Sequence, residues 1–321
     1  MMQAKDLHDS GGAKVAHMRI GSFREIRNDD HELPTGEKIR LFITDPPYNL
    51  NFDYGEDVDD NLPPDEYHQL MIGTFKKCFE VSDINASLFI IHYPEAIAKL
   101  YTDLIDIGWE VRQWISWVYP SNTGHSENKW SRSHRTILWL KKGNPPFHSR
   151  AVTQNFKNPS VKVIKDKKEQ GVLGVSLYDW WEIPQVKNIN SEHAGYSNQI
   201  PEELIRRIIL CASDPLDWVA DPFSGTYSTM KTALKLGRRG WGCDLNSATI
   251  DFWPENDAWQ PRTEDPILPN VDASKLDPIL EIITLEHYQR AVYRMIGDAT
   301  AEDLKKYIGP KNGPRVFDAL K

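Results

Sequence analysis

The chain has 321 residues and a mass of 36.9 kDa, which suffices for one large α/β domain with an insert and a small appendage. Its hydrophobic content of 40% supports a globular core, and no apolar run approaches the length of a membrane span. The net charge of −8 argues against a uniformly basic surface for nucleic acid.

Hydrophobic periodicity predicts alternating strands and helices along the chain. Residues 1–17 are polar and are expected to be loose. Strands are predicted at 39–43, 88–92, 114–119, 136–140, 218–220 and 240–243, and helices at 66–81, 95–107, 201–211 and 230–236. This alternation indicates an α/β fold.

The cysteines and the start of the chain bear on compartment and metal content. Cys78, Cys211 and Cys243 are isolated, without metal spacing or disulfide pairing, and are expected to be small buried residues. The start of the chain lacks a signal-peptide core. We therefore expect a cytoplasmic protein without a bound metal and without a membrane partner.

The tetrapeptide Asp45, Pro46, Pro47 and Tyr48 follows the strand predicted at 39–43. Ligands of open α/β sheets bind at the carboxyl ends of strands, and paired prolines hold a rigid backbone with bare carbonyls. Such a corner suits an exocyclic amine, whose hydrogens the Asp45 carboxylate and the Pro46 carbonyl can accept while Tyr48 stacks on the base. A plain strand and turn is the alternative, since Asp-Pro commonly opens turns.

A second corner follows the strand predicted at 218–220. It is a loop of small residues before the helix predicted at 230–236, and an acid stands about twenty residues beyond it, where it typically binds the hydroxyls of a ribose. This pattern predicts a nucleoside cofactor. The residues expected to bind it are Asp221, Phe223, Ser224, Gly225, Thr226 and Asp244.

Together the two corners resemble the amino-methyltransferases of DNA, which use S-adenosylmethionine to methylate adenine N6 or cytosine N4. The order of the corners resembles the β class, and the likeness runs from about residue 18 to residue 251. The resemblance implies a Rossmann-like methyltransferase fold with a mixed, mostly parallel sheet and helices on both faces. It is permuted, so that the catalytic half precedes the cofactor half. Further ordered matches lie at 87–91, 132–139, 179–184 and 195–201.

The same resemblance implies a division of the chain. The expected parts are a catalytic half at 18–140, a target-recognition insert at 141–190, a cofactor-binding half at 191–253, a proline-rich linker at 254–279 and a helical tail at 280–321. Within the tail, residues 304–320 weakly resemble a helix-hairpin-helix element that presents backbone amides to a DNA phosphate. A plain helical cap is the alternative.

Residue roles also follow from the resemblance. Residues 45–48 are expected to be catalytic, and Asn198 and Gln199 are expected to join the second corner in binding S-adenosylmethionine. An aspartate at position 45 resembles the N6-adenine enzymes, so we predict methylation of adenine. The alternatives are an N4-cytosine enzyme, an inactive DNA-binding relative and a nucleotide-dependent oxidoreductase built on residues 221–244.

Basic residues concentrate between positions 129 and 168 of this acidic chain. We predict that this stretch overhangs the same sheet edge as Asp45 and binds double-stranded DNA, with a solvated lysine-rich loop as the alternative. The resemblance also allows a homodimer and a cognate restriction endonuclease as partners. The residues expected to contact DNA are Lys129, Arg132, Arg135, Lys141, Lys142 and Arg150.

Four positions depart from the pattern of these enzymes. Tyr227 replaces a second glycine, so a bulky side chain is expected beside the cofactor, and Ile200 replaces a lysine that could meet the methionine carboxylate. Arg135 stands in place of an acid, and Ser22 in place of an aspartate. None of the four changes the tetrapeptide at 45–48, so a divergent but active enzyme is expected.

Overall fold

The structure is a computed structural model, and no helix among the residues that it describes has the length and apolarity needed to span a membrane. The described residues are 4–8, 12–26, 37–51, 60–120, 127–149, 151–154, 156–158, 160–169, 175–186 and 199–254. The predicted helical tail, and all but residue 254 of the predicted linker, lie outside these ranges.

The described elements alternate between strands and helices, as the sequence predicts. The strands are β1 (Ala4–His8), β2 (Lys14–Ile20), β3 (Ile39–Thr44), β4 (Ser82–His92), β5 (Glu110–Val118), β6 (His134–Lys142), β7 (Thr153–Gln154), β8 (Val175–Ser176), β9 (Trp180–Glu182), β10 (Trp218–Asp221) and β11 (Arg239–Asp244). The α-helices are α1 (Pro64–Val81), α2 (Pro94–Ile107), α3 (Lys162–Glu169), α4 (Glu202–Ala212) and α5 (Ser228–Lys235).

One mixed sheet organises the molecule. Its strand order is β1-β2-β11-β10-β3-β4-β6-β5-β9, while β7 and β8 pair separately. The five strands from β2 to β4 in this order run parallel to one another, whereas β6 is antiparallel to both β4 and β5. The predicted mixed, mostly parallel sheet is therefore confirmed.

Helices cover both faces of this sheet. On β3, Leu41 and Ile43 belong to the core cluster that contains the apolar residues of α4. Phe42, between them, belongs to the cluster that contains those of α1 and α2. Because successive side chains of a strand point to opposite faces, β3 is buried on both sides and reads as a continuous apolar run.

The connections leave β3 and β10 in opposite directions across the sheet. The chain passes from β3 through α1 to β4 on one side, and from β10 through α5 to β11 on the other. Ligands of open α/β sheets bind at such a switch point, outside the carboxyl ends of the two strands. The strand that leads to Asp45 also precedes, along the chain, the strand that ends at Asp221.

Two expectations are wrong. Residues Ala4–His8, predicted to be loose, form the edge strand β1. Leu7 is the one buried side chain of this strand, so its sequence lacks the alternation of apolar and polar residues that would have predicted it. The stretch after β6 does not begin at the edge that carries Asp45. Because β6 runs antiparallel to β4, Thr136 pairs with His92 and Lys142 pairs with Ala86, at the opposite end.

Helix α5 packs closely on β11 at Gly240, where a Cβ atom would overlap Cγ of Met230. We predict that Gly240→Ala lowers the free energy of unfolding by about 1–3 kcal/mol through overpacking. Met230→Ala removes the opposing side chain, so the double variant should be less destabilised than the sum of the single variants, by about 1–3 kcal/mol. Urea denaturation of the four proteins measures this coupling, and strictly additive losses would contradict the packing.

Candidate active site

A cavity of about 660 Å³ opens where β3 and β10 end side by side at the carboxyl edge of the sheet. It brings together residues that the sequence analysis placed in two separate corners of the chain. Pro46 is buried between two lining residues, and Asn198 lies outside the described residues. The predicted site residues that line the cavity are Asp45, Pro47, Tyr48, Gln199, Asp221, Phe223, Ser224, Gly225, Thr226 and Asp244.

Asp45 is held by partners on both of its carboxylate oxygens. The hydroxyl of Tyr48 donates a hydrogen bond to Oδ1, and Nη1 of Arg135 lies 3.5 Å from Oδ2. Burial raises the pKa of Asp45 to about 6, although Arg135 and the Tyr48 hydrogen bond act in the opposite direction. The carboxylate is therefore mostly ionised at neutral pH and can accept a hydrogen bond from an amine.

A partly buried set of hydrogen bonds fixes the backbone of the proline corner. The Tyr67 hydroxyl donates to the Pro47 carbonyl at 2.7 Å and lies 2.8 Å from Nε2 of His92. The backbone N–H of Tyr93 donates to Nδ1 of His92 at 2.7 Å, so the ring proton resides on Nε2. Burial lowers the pKa of His92 to about 4, which keeps the ring neutral. Sequence reasoning missed Tyr67 and His92, because their helical and strand positions carry no chemical signal.

Asp60 clamps the chain directly after the tetrapeptide. Its carboxylate accepts the backbone N–H groups of Asn49 at 2.8 Å and Leu50 at 3.0 Å. The Asn49 side chain exchanges two hydrogen bonds with the backbone of Leu62, at 2.7 and 2.8 Å. These bonds satisfy a left-handed turn at Asn49, which has a φ of 56°. The acidic composition of this loop gave no hint that one aspartate is buried and structural.

The second corner is tied to both of the strands beside it. Asp221 accepts hydrogen bonds from the Phe223 N–H at 3.1 Å and the Thr229 hydroxyl at 2.9 Å. Asp244, at the end of β11, accepts the Gly225 N–H at 2.8 Å. Burial raises the pKa of Asp221 to about 8, and the nearby Asp45 raises it further. A largely protonated Asp221 at neutral pH avoids like-charge repulsion at this edge.

Comparison with known proteins identifies this arrangement. Residues 39–253 match the family model that is described as "DNA methylase", N6_N4_Mtase. This span contains both corners of the cavity and more than half of the chain. The chain belongs to the DNA methylase family. It is thus a DNA amino-methyltransferase of the N6-adenine or N4-cytosine type that depends on S-adenosylmethionine.

Curated relatives support this membership. The type II methyltransferase M.HpaI of Haemophilus parainfluenzae is 31% identical over 218 residues, which are 68% of this chain and 67% of that protein. The DNA adenine methyltransferase YhdJ of Escherichia coli strain K12 is 27% identical over 233 residues, which are 67% of this chain and 74% of that protein.

Solved structures share the fold of this DNA methylase. The crystal structure of the M1.HpyAVI-SAM complex has a TM-score of 0.53 at 18% identity and covers 74% of this chain and 96% of that one. The cytosine-N4-specific PvuII DNA methyltransferase has a TM-score of 0.56 at 15% identity and covers 89% of this chain and 96% of that one. The Rossmann-like methyltransferase fold is therefore confirmed.

The cavity of this DNA methylase fits S-adenosylmethionine by charge. The cofactor carries a sulfonium and an ammonium against one carboxylate. Arg24 is the single lysine or arginine among the described residues of the cavity wall, so that wall is predominantly acidic. The acids of the wall are Asp45, Asp60, Asp65, Glu66, Asp221 and Asp244.

Tyr227 does not stand beside the cofactor cavity, contrary to expectation. Its side chain is fully buried in a cluster that includes Met18 and Met230, and it is absent from the described cavity wall. The ring reaches this cluster because Tyr227 adopts a left-handed conformation with a φ of 57°. Gly242 leaves room for it, since a Cβ there would lie 2.8 Å from the ring. The tyrosine that replaces the second glycine of the family pattern therefore packs on the side of the loop that faces away from the cavity.

The predicted DNA-contacting residues do not form one surface. Arg132 pairs with Glu95 at 2.7 Å and lies over the ring of Tyr93, which packs on Tyr48, and Lys129 is exposed. Arg135 is not a surface cation, because its side chain is only 3% exposed. The remaining two described cations, Lys141 and Lys142, lie at the opposite end of β6, and Arg150 lies outside the described residues.

Substitution of Tyr227 tests its structural role. Tyr227→Gly should lower the free energy of unfolding by about 3–5 kcal/mol through the lost aromatic ring, less about 1 kcal/mol from relief of the left-handed conformation. It should not tighten S-adenosylmethionine binding, because the ring faces away from the cavity. Urea denaturation and titration calorimetry measure the two effects, with Tyr227→Phe as the matched control. Tighter cofactor binding by Tyr227→Gly would show that the ring opposes the cofactor after all.

Proposed function

We propose that this DNA methylase transfers the methyl group of S-adenosylmethionine to N6 of an adenine that is flipped out of duplex DNA. The proposal rests above all on the buried Asp45 carboxylate at the rim of the cofactor cavity. Asp45, Pro46, Pro47 and Tyr48 are the proposed catalytic residues. The lining residues of the second corner, together with Gln199 and Asn198, are the proposed cofactor-binding residues.

The chemistry of an aromatic amine sets what these residues must do. The lone pair of N6 is delocalised into the adenine ring, so the nitrogen is a weak nucleophile while its hydrogens lie in the ring plane. Asp45 and the Pro46 carbonyl accept hydrogen bonds from these N–H groups, favour a tetrahedral nitrogen and aim its lone pair, and the N6 proton leaves during or after transfer. When bound, S-adenosylmethionine supplies the methyl group from its sulfonium. Tyr48 replaces part of the stacking that the flipped base loses.

Several contacts favour this role for the tetrapeptide. The carboxylate of Asp45 is mostly ionised at neutral pH, as a hydrogen-bond acceptor requires. The hydrogen bonds of Tyr67 and His92 hold the carbonyl of Pro47, and with it the rigid corner. Tyr48 packs edge-on against His92 with ring centres 4.8 Å apart, which fixes its plane. A pre-formed acceptor pair costs little reorganisation when the base arrives.

Adenine is preferred to cytosine because of residue 45. An aspartate at this position resembles the N6-adenine enzymes, and the relative YhdJ is named a DNA adenine methyltransferase. N4-methylation of cytosine is the second candidate, because Ile200 lines the cavity and an aliphatic residue at this position is commoner in the N4-cytosine enzymes. The identity of the methylated base is therefore the first outcome to measure.

The proposed DNA-contacting surface lies at the cavity edge, before β6. Lys129 and Arg132 flank Trp130, whose side chain is 96% exposed. Cations beside an exposed aromatic ring are typical of surfaces that contact nucleic acid. Residues 141–190 remain the proposed target-recognition insert. The type II relatives suggest a cognate restriction endonuclease as a functional partner, and a homodimer is a further proposal.

The reaction and the base can be identified in one assay. The purified protein is incubated with tritiated S-adenosylmethionine and mixed-sequence duplex DNA, and the labelled nucleoside is then identified by mass. We expect N6-methyladenine. N4-methylcytosine would favour the second candidate, and absence of label together with retained DNA binding would indicate an inactive relative.

Asp45→Asn and Asp45→Ala test the catalytic acceptor. Each should lower the rate of methyl transfer by about 10²–10⁴-fold, because an amide or a methyl group cannot replace the carboxylate. Binding of DNA and of S-adenosylmethionine should persist, as measured by gel shift and calorimetry. Asp103→Asn, on the surface of α2, serves as a matched control that should retain the wild-type rate. Wild-type rates in the Asp45 variants would refute the assigned role.

A further inference from the structure

Arg135 stands where strand periodicity favours an apolar side chain. On β6 it shares a face with Ile137 and Trp139, which belong to the core cluster around α4. The register of β5 and β6 places it opposite Trp117. Its side chain is 3% exposed, so this cation belongs to the edge of the core that borders Asp45.

Aromatic rings surround the guanidinium, and a carboxylate neutralises it. Nη1 of Arg135 lies 3.5 Å from Oδ2 of Asp45. Ring faces attract a cation but leave its charge in place. The distances from Cζ to the ring centres are 4.7 Å for Tyr48, 5.2 Å for Trp117, 5.8 Å for Tyr93 and 5.9 Å for Tyr119.

Stability alone does not explain a cation in this position. Nε of Arg135 has no hydrogen-bond acceptor among the described residues, so the buried guanidinium is incompletely paired. Replacing both partners of a buried ion pair by apolar side chains of similar volume is often neutral or stabilising, so such a pair is weak evidence of a purely stabilising role. The retained charge therefore points to the chemistry of Asp45.

Two titratable groups on the neighbouring strands, Asp221 and His92, are uncharged near pH 6, while the ion pair of Arg132 and Glu95 acts on His92. Asp221 on β10 faces Asp45, and its pKa of about 8 leaves it protonated there. His92 on β4 faces Arg135, and its pKa of about 4 leaves it neutral. Burial raises the pKa values of Tyr48 and Tyr119, so both hydroxyls stay neutral. Among the described groups that face Asp45, Arg135 is thus the source of charge that offsets desolvation, and the Tyr48 hydroxyl adds a hydrogen bond.

We propose that Arg135 is a positioning residue for methyl transfer, which keeps the Asp45 carboxylate ionised and fixes its orientation towards the target amine. The inference rests on the proposed role of Asp45. Without the guanidinium, the desolvated carboxyl group takes up a proton at neutral pH. Protonation turns one carboxyl oxygen into an O–H donor and leaves the other a weaker, neutral acceptor, so the hold on the N–H groups of the amine is weakened.

The pH dependence of methyl transfer tests this role. In single-turnover assays at saturating DNA and cofactor, the wild-type rate should fall as pH decreases through about 6, where Asp45 becomes protonated. Arg135→Met should move this acid limb upward by about 1–3 pH units, since a neighbouring arginine lowers a carboxyl pKa by that amount. Each unit of displacement corresponds to a roughly tenfold slower reaction below the limb.

Two further variants separate charge from shape. Arg135→Lys keeps the positive charge, so its acid limb should stay near that of the wild type. Arg112→Met removes an arginine that lies 4.6 Å from the ring centre of Trp139 on the same sheet, and it should leave the limb in place. Folded Arg135→Met protein with an unmoved limb, whatever its rate, would overturn the inference. If Arg135→Met does not fold, a displaced limb in Arg135→Lys would overturn it instead.

A measurement that needs no turnover distinguishes this inference from the proposed function. Protein labelled with ¹³C at the aspartate carboxyl carbons is titrated by NMR, and Asp45→Asn assigns the Asp45 signal. We expect the Asp45 midpoint to be higher in Arg135→Met than in the wild type. Inactive wild-type protein would count against the proposed function alone, whereas an unchanged midpoint would count against the role of Arg135.

Discussion

Parallel pairing of β3 with β10 is the constraint on which the site depends. The two strands are far apart in the chain, yet Leu41 pairs with Val219, so both strands end at the same edge of the sheet. Each strand is buried on both faces by helices, which fixes its register. Asp45 and Asp221 therefore meet in one crevice. A slip of this register would separate the acceptor corner from the cofactor corner.

Because both carboxyl groups lie at this buried strand edge, both are desolvated. Burial raises the pKa of Asp45 to about 6 and that of Asp221 to about 8, so the two carboxyls differ in charge at neutral pH. The ionised acid is the one that faces Arg135, and the protonated acid is the last residue of β10. The fold thus supplies one charged acceptor without placing a second ionised carboxylate directly beside it at the ends of β3 and β10.

The departures of this chain from the family pattern have different structural meanings. Tyr227 turns into a core cluster, because a left-handed backbone and the space above Gly242 receive its ring. Ile200 lines the cavity where the family pattern has a lysine. Among the described residues of the cavity wall, the cation is instead Arg24, from a different part of the chain. Arg135 is the departure that reaches the acceptor corner itself. Positions that depart equally from the family pattern in sequence therefore differ in whether their side chains reach the cavity.

The sequence by itself determined the strand and helix order, the two corners and the family, because apolar periodicity and short motifs are local properties. It also indicated which residues would gather in one cavity. Only the tertiary structure decided which way Tyr227 points, that Arg135 is buried beside Asp45, and that Lys141 and Lys142 lie at the opposite sheet edge. These outcomes depend on strand direction, register and the space left by distant residues, which no local pattern encodes.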